Sequence, residues 1–278
     1  MNEIIKKTIK ATNVIEYVIA NHVVAKKALP GQFIILIVEE GGERVPFTIT
    51  DYDREQGTIT LLVQTVGEST MQMSKLEVGD SLYAFVGPLG NATDLSEYNR
   101  VCLVGGGIGT AVIYPQAKAL KNSGKYVDII LGAREKSLLM YVDEFQSVAD
   151  NTYLMTNDGS AGDKGFVTDK LKELIEGGKN YDVVFAVGPM IMMKVVSDLT
   201  RNYSLKTIVS MNSIMIDGTG MCGGCRVTVG GKRVYACVDG PEFDGHEVDY
   251  EEALNRLTLF KEEENEAICR LTGEKHGN

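Results

Sequence analysis

The chain has 278 residues, 44% of them apolar and 24% charged, with a formal net charge of −10, the balance of a soluble globular protein with room for two medium-sized domains. That acidity excludes the basic surface needed by a nucleic-acid or anionic-membrane partner. The longest apolar run, residues 183–193, is broken by Gly188 and Pro189 and falls well short of the ~20 residues of a membrane span.

Residues 1–7 lack the apolar core of a signal peptide, so a cytoplasmic location is expected. There thiols stay reduced, so metal or cluster ligation is expected of the chain's cysteines rather than a disulfide frame, with Cys269 given no role. Residues 1–96 read as β-structure. Runs rich in Val, Ile, Thr and Phe at 4–9, 33–38, 45–50, 58–63 and 81–86 alternate with the turn signals Pro30-Gly31, Gly41-Gly42, Gln56-Gly57 and Gly79-Asp80. Five or six strands at this spacing predict a small antiparallel barrel, interrupted by one helical stretch at 68–76. One strand of this unit carries Arg44, Pro46 and Thr48 at alternating positions, which places them on one face.

Residues 97–211 change rhythm to alternating strand and helix. Strands are predicted at 101–104, 127–131, 153–156, 183–187 and 207–211, with helices up to about 123 and over 138–148, 168–175 and 190–201. Five strands with intervening helices make a doubly wound parallel sheet, so the expected fold class is β + α/β. Gly105, Gly106, Gly107 and Gly109 follow the first of these strands and lead into a helix. Glycine there lets backbone approach a pyrophosphate at a helix N-terminus, although such turns also serve only to pack strand on helix. Two more turns, Asp158-Gly159-Ser160 and Gly188-Pro189-Met190, end strands on the same predicted edge.

Residues 212–278 hold the most specific signal. Asp217, Cys222, Cys225 and Cys237 stand in the order D-x4-C-x2-C-x11-C, the plant-type ferredoxin spacing with a carboxylate in place of the first thiolate. Glycines at 218, 220, 223 and 224 let a short loop wrap a compact inorganic core. A hairpin built from 226–229, a Gly230-Gly231 turn and 233–236 would bring Cys225 and Cys237 side by side. Two other chemistries fit these cysteines. One is a structural zinc site, as in a zinc-stapled interaction module, and the other is a redox dithiol. Neither explains the whole loop: no histidine lies in it, and a dithiol has no use for Cys237 or the glycines. From Tyr250 to about Lys275 the chain is expected to form one charged helix with Leu254, Leu257 and Phe260 on its apolar stripe. Cys102, in an apolar strand, reads as a buried hydrophobe.

Taken together, these segments resemble the ferredoxin–NADP reductase superfamily, and within it the branch that ends in a 2Fe–2S loop. The resemblance spans essentially the whole chain. It implies an FAD-binding barrel over 1–96, an NAD(P)-binding α/β domain over 97–211 and a cluster-binding segment over 212–278. By the same resemblance, Arg44, Pro46, Phe47, Thr48, Gly67 and Thr70 would hold FAD. The pyridine nucleotide would lie against Gly105, Gly106, Gly107, Gly109, Asp158, Gly159, Ser160, Gly188, Pro189 and Met190. Asp217, Cys222, Cys225 and Cys237 would ligate the cluster.

Two members of the branch compete. Electron-transfer subunits of dihydroorotate dehydrogenase carry four cysteines in this loop. The small subunits of electron-bifurcating NADH-dependent reduced ferredoxin:NADP oxidoreductases carry the aspartate, and after it the run Cys237-Val-Asp-Gly-Pro-Glu-Phe-Asp-Gly-His246. Sulfide dehydrogenase subunits share much of the pattern. The implied activity is hydride exchange between NAD(H) and FAD, followed by single-electron transfer through the cluster. The partner would be a larger flavin and iron–sulfur subunit in a heterodimer, with ferredoxin reached through it. No side chain stands out as a general acid or base, and NAD is the expected nucleotide.

Overall fold

The computed structural model describes residues 2–273. In the first unit, β1 (Glu3–Ala11) turns back through Thr12 and Asn13 into β2 (Val14–Ala20), and a short α1 (His22–Lys27) follows. Then come β3 (Phe33–Ile37), β4 (Val45–Thr48), β5 (Asp51–Asp53), β6 (Thr58–Gln64), α2 (Glu68–Ser74) and β7 (Ala84–Leu89). The strands form two antiparallel sheets, ordered β1-β2-β6-β5 and β4-β3-β7. Tyr17, Ile19, Ile34, Leu36, Ile59 and Leu61 fill the space between them. The buried Tyr17 hydroxyl donates to the Met73 carbonyl at 2.9 Å. The same carbonyl also accepts the Leu76 N–H at 3.1 Å, so the Tyr17 bond is its second and ties the end of α2 to the barrel wall. β2 was not among the expected strands. Its sequence, VIEYVIA, breaks strict alternation because both faces are partly enclosed.

The second unit runs β8 (Arg100–Gly106), α3 (Thr110–Asn122), β9 (Tyr126–Ala133), α4 (Val142–Val148), β10 (Asn151–Thr156), β11 (Asp163–Lys164), α5 (Val167–Glu176), β12 (Val183–Val187), α6 (Met190–Arg201) and β13 (Thr207–Ser210). Its parallel strands are ordered β11-β10-β9-β8-β12-β13, so the five strands expected from sequence are present in a doubly wound arrangement with the two-residue β11 added at one edge. Val101–Val104 and Val183–Val187 are buried throughout, as central parallel strands must be when helices cover both faces. Strand order reverses between β8 and β12. The crevice for a ligand therefore opens beyond Gly106 and Val187.

The last segment adds the hairpin β14 (Arg226–Val229) and β15 (Lys232–Tyr235), then β16 (Glu242–Asp244), α7 (Tyr250–Arg256) and α8 (Lys261–Thr272). Two features differ from expectation. First, β16 pairs antiparallel with β13 and becomes the outer strand of the parallel sheet, so the C-terminal segment is built into the second unit. Second, the expected single helix is two, separated by a turn over 257–260. Tyr250 and Ala253 are buried and Leu254 packs on the core, whereas Leu257, Leu259 and Phe260 are exposed. Arg256 ends α7 by donating to the Gly224 carbonyl at 2.9 Å, which pulls the helix end toward the hairpin. The part of the expected helix beyond residue 273 lies outside the described residues.

β16 also brings a carboxyl into the junction of all three segments. The Thr93 hydroxyl donates to Glu242 Oε1, and Gln116 Nε2 donates to Thr93 Oγ1 at 2.9 Å. Burial pushes the Glu242 carboxyl up to about 7 from its ordinary 4.5, against the opposing pull of Thr93 and Gln116. Between those two values the folded chain holds a proton that the unfolded chain has lost, so stability falls as pH rises through this window. Glu242→Gln is expected to raise the Tm at pH 8 and leave it nearly unchanged at pH 5, as read by thermal unfolding at the two pH values.

Candidate functional site

The loop between β13 and β14 is shaped by its carboxylate. Asp217 Oδ1 accepts the Thr219 N–H at 3.0 Å, and Oδ2 accepts the Cys222 N–H at 2.9 Å and the Thr219 hydroxyl at 3.3 Å. The Thr219 N–H, joined by that of Cys222, holds the carboxyl below the usual carboxylate range. Gly218 is required twice over. Its φ is +72°, and a Cβ there would lie 2.6 Å from Leu89 Cδ1 and 2.8 Å from Ile35 Cδ1.

The β14–β15 hairpin does what its length implied. Arg226 pairs with Tyr235 at the stem, and the Cys225 and Cys237 sulfurs meet at 3.2 Å, 1% and 2% exposed. Burial, then the neighbouring Cys225, pushes the Cys237 thiol up to about 12. Cys222 lies on the exposed side, where its sulfur accepts the Gly224 N–H at 3.4 Å.

Cys225 and Cys237 form one sulfur pair, while Asp217 and Cys222 are joined through the Cys222 backbone N–H. Among the described residues no three histidine, cysteine or acidic side chains converge closely enough to hold a single metal ion. A lone tetrahedral zinc gathers its four ligands around one point. A bridged two-iron core takes two protein ligands at each iron. With metal–sulfur bonds of about 2.3 Å, two thiolates on one tetrahedral metal stand about 3.8 Å apart. The Cys225–Cys237 pair reaches this by opening slightly, so the donor set fits a two-iron cluster.

This loop rests directly on the barrel. Met215, Cys225 and Cys237 share one apolar cluster with Phe33 and Ile35 of β3, and Arg44 Nε donates to the Ile216 carbonyl at 2.7 Å, one residue before Asp217. In the β3–β4 register Pro46 lies opposite Ile35 and Thr48 opposite Phe33, so both sit on the face that carries the cluster loop. Phe47, opposite Ile34, falls on the other face and packs on the barrel core. Thr70 is 8% exposed. Its Oγ1 accepts the N–H groups of Val66 at 3.0 Å and Gly67 at 2.9 Å and donates to the Gly67 carbonyl, closing the turn that starts α2.

The glycines after β8 divide by role. A Cβ on Gly105 would meet Ile113 Cδ1 at 2.7 Å. One on Gly106 would meet Met192 Sδ at 2.5 Å, and one on Gly109 the Val187 carbonyl oxygen at 2.3 Å. These three exist to pack β8 against α3, α6 and β12. Gly107 is different: its φ is +54° and nothing lies within 4 Å of a Cβ there, so this position faces open space at the mouth of the crevice.

Gly188 packs against Gly106, where a Cβ would come within 3.0 Å of the Gly106 carbonyl oxygen. Pro189 caps α6, and Met190 is buried in the core. Asp158 Oδ1 accepts the Ser160 N–H at 2.9 Å and its hydroxyl at 2.7 Å, while Ser160 Oγ accepts the Lys136 N–H at 2.8 Å. These bonds link the turn after β10 to the one after β9. Sequence reasoning missed the contacts that seat the cluster loop, Ile35, Leu89 and the Ile216 carbonyl. A bare strand residue and a backbone oxygen carry no motif.

Comparison with known proteins agrees with this geometry. Residues 212–249 match the family described as the iron–sulfur cluster binding domain of dihydroorotate dehydrogenase B, and residues 103–198 match the oxidoreductase NAD-binding domain. The chain is similar to the dihydroorotate dehydrogenase B electron transfer subunit homolog of Thermotoga maritima, at 46% identity over 99% of this chain and 98% of that one. It is also similar to the dihydroorotate dehydrogenase B electron transfer subunit of Fusobacterium nucleatum, at 35% identity over 80% and 87%. Among solved structures, it superposes on a chain from the NADH-dependent reduced ferredoxin-NADP oxidoreductase structure, a study of flavin-based electron bifurcation. The TM-score is 0.92, with 45% identity and 98% of each chain covered.

Proposed function

The chain belongs to the family of dihydroorotate dehydrogenase B electron-transfer subunits and their homologues, and from that premise we propose that it is the NAD(H)-facing subunit of an electron-bifurcating NADH-dependent reduced ferredoxin:NADP oxidoreductase. It is an oxidoreductase whose cofactors are FAD, a 2Fe–2S cluster and NAD(H). The observation that carries the finer reading is Asp217. Its carboxylate stands at the first ligand position beside Cys222, in a chain that matches the bifurcating neighbour over 98% of both lengths. When bound, FAD exchanges a hydride with NAD(H) and passes electrons on singly, with the cluster as relay.

The residues of this chain supply place and surroundings. Pro46, Thr48 and the Gly67–Thr70 turn cradle the flavin on the barrel. Gly107, with the Asp158–Ser160 and Gly188–Met190 turns, receives the nucleotide across the crevice. Arg44 ties the strand that would carry the flavin to the loop of Asp217, Cys222, Cys225 and Cys237 that would hold the cluster. The divisions 1–96, 97–211 and 212–278 are the flavin, nucleotide and cluster portions on this reading, with β16 returning to complete the nucleotide sheet. A larger flavin and iron–sulfur subunit completes the enzyme, reaches ferredoxin and works with it in the cytoplasm.

The test uses the complex isolated anaerobically with its partner subunit. NADPH should reduce ferredoxin only when NAD⁺ is present. Dihydroorotate- or sulfide-dependent reduction of NAD⁺, with no such coupled reaction, would replace this assignment by the corresponding dehydrogenase.

A further inference from the structure

The joint between the barrel and the parallel sheet carries a buried polar network that no site above uses. Tyr141, the residue before α4, is 6% exposed and stands in the left-handed region at φ +58°, ψ +26°. Few non-glycine residues hold that conformation unless their surroundings impose it. One contact of its side chain crosses from one unit to the other: the Tyr141 hydroxyl donates to Glu16 Oε2 on β2, and Glu16 is itself 7% exposed. Lys10 of β1 completes the crossing. Its Nζ lies 3.5 Å from Glu16 Oε2, 2.8 Å from Glu144 Oε1 on α4 and 4.8 Å above the Tyr141 ring. Tyr114 of α3 meets that ring edge-on at 5.1 Å, and Lys118 of the same helix holds both oxygens of Asp51 on β5 at 2.7 and 2.8 Å.

We propose that Tyr141 is a positioning residue for hydride transfer: its hydroxyl, locked to Glu16, sets the angle between the barrel that carries the flavin and the sheet that carries the nucleotide. The inference rests on the flavin and nucleotide reading given above. Packing alone does not call for the hydroxyl, because phenylalanine would meet the Tyr114 ring equally well. The oxygen adds only direction, and direction matters because β4 and Gly107 stand on opposite sides of this joint. A displacement of about 1 Å between reacting groups lowers a rate by about 100-fold.

The experiment uses the full-length, FAD-loaded chain in anaerobic stopped-flow reduction by NADH. In Tyr141→Phe the limiting rate of flavin reduction is expected to fall about 10- to 100-fold. The long-wavelength absorbance of the stacked nicotinamide–flavin pair should weaken, while NADH affinity, flavin content and Tm stay close to wild type. Glu16→Gln keeps an acceptor for the hydroxyl and should retain most of the rate. An unchanged rate and absorbance in Tyr141→Phe overturns the proposal, as does parallel loss of rate, flavin and Tm, which would mark a purely structural role. Should Tyr141→Phe not fold, Lys10→Met, which loosens the same joint from its solvent side, must lower the rate about threefold at unchanged flavin content; a wild-type rate there also overturns the proposal. If NADH fails to reduce the flavin of the wild-type chain, the functional reading itself falls and takes the proposal with it.

Discussion

Replacing Cys237 by alanine is expected to strip the chain of iron and acid-labile sulfide while leaving its flavin reducible by NADH. Cys237 is 2% exposed and its sulfur faces Cys225 at 3.2 Å, so no nearby side chain can take its place without unfolding the hairpin stem. Outer-sphere partners of metal ligands are typically worth 10–100-fold in affinity, and a direct ligand should be worth at least about 100-fold. Iron and sulfide assays on anaerobically purified protein read the loss directly, and full cluster content in Cys237→Ala would remove Cys237 from the ligand set.

Asp217→Cys makes the complementary case. The thiolate keeps the charge and replaces a hard oxygen by a soft sulfur, so the cluster should remain with a shifted midpoint potential. A redox titration and spectrum identical to wild type would show that Asp217 does not ligate.

The second large effect separates two glycines of one turn. Gly109→Ala should destabilise the fold, because its Cβ would lie 2.3 Å from the Val187 carbonyl oxygen and 2.8 Å from the Gly188 nitrogen. Backbone atoms of the central strand cannot withdraw cheaply, so a penalty of about 3 kcal/mol is expected, as for other overpacked interiors. In a chain of this size that lowers the Tm by roughly 5–10 °C. Gly107→Ala meets no atom within 4 Å. It suffers only the left-handed backbone penalty of about 1–2 kcal/mol, and its main effect should be weaker NADH binding. Thermal unfolding and NADH titration of the two variants give opposite rankings if the division is correct. Equal loss of stability in both would mean that Gly107 is also a packing residue.

Much of this was legible in the chain before any coordinates. The alternation of apolar runs and turns in the first hundred residues, the strand–helix rhythm after it and the D-x4-C-x2-C-x11-C loop are local patterns. Each follows from backbone geometry over a few residues. The strand at 183–187 and the helix at 190–201 match β12 and α6 residue for residue. The Gly230-Gly231 turn carried enough information to place Cys225 beside Cys237.

What failed was long-range. β2 was overlooked because a strand enclosed on both faces loses the period of two that marks a half-buried one. The tail's own sequence predicts one helix because nothing in it announces the break. The end of α7 is held by Arg256 reaching Gly224, a partner 32 residues away.

The sequence alone therefore determined the class of fold, the order of its units and the D-x4-C-x2-C-x11-C spacing on which the proposed cluster rests, since each is written over short stretches. Only the tertiary structure decided that β16 returns to the edge of the parallel sheet, that Arg44 reaches the carbonyl before Asp217, and that Tyr141 bonds to Glu16 across the joint. These are contacts between residues far apart in the chain. Their existence depends on how whole sheets pack, and no local pattern encodes that.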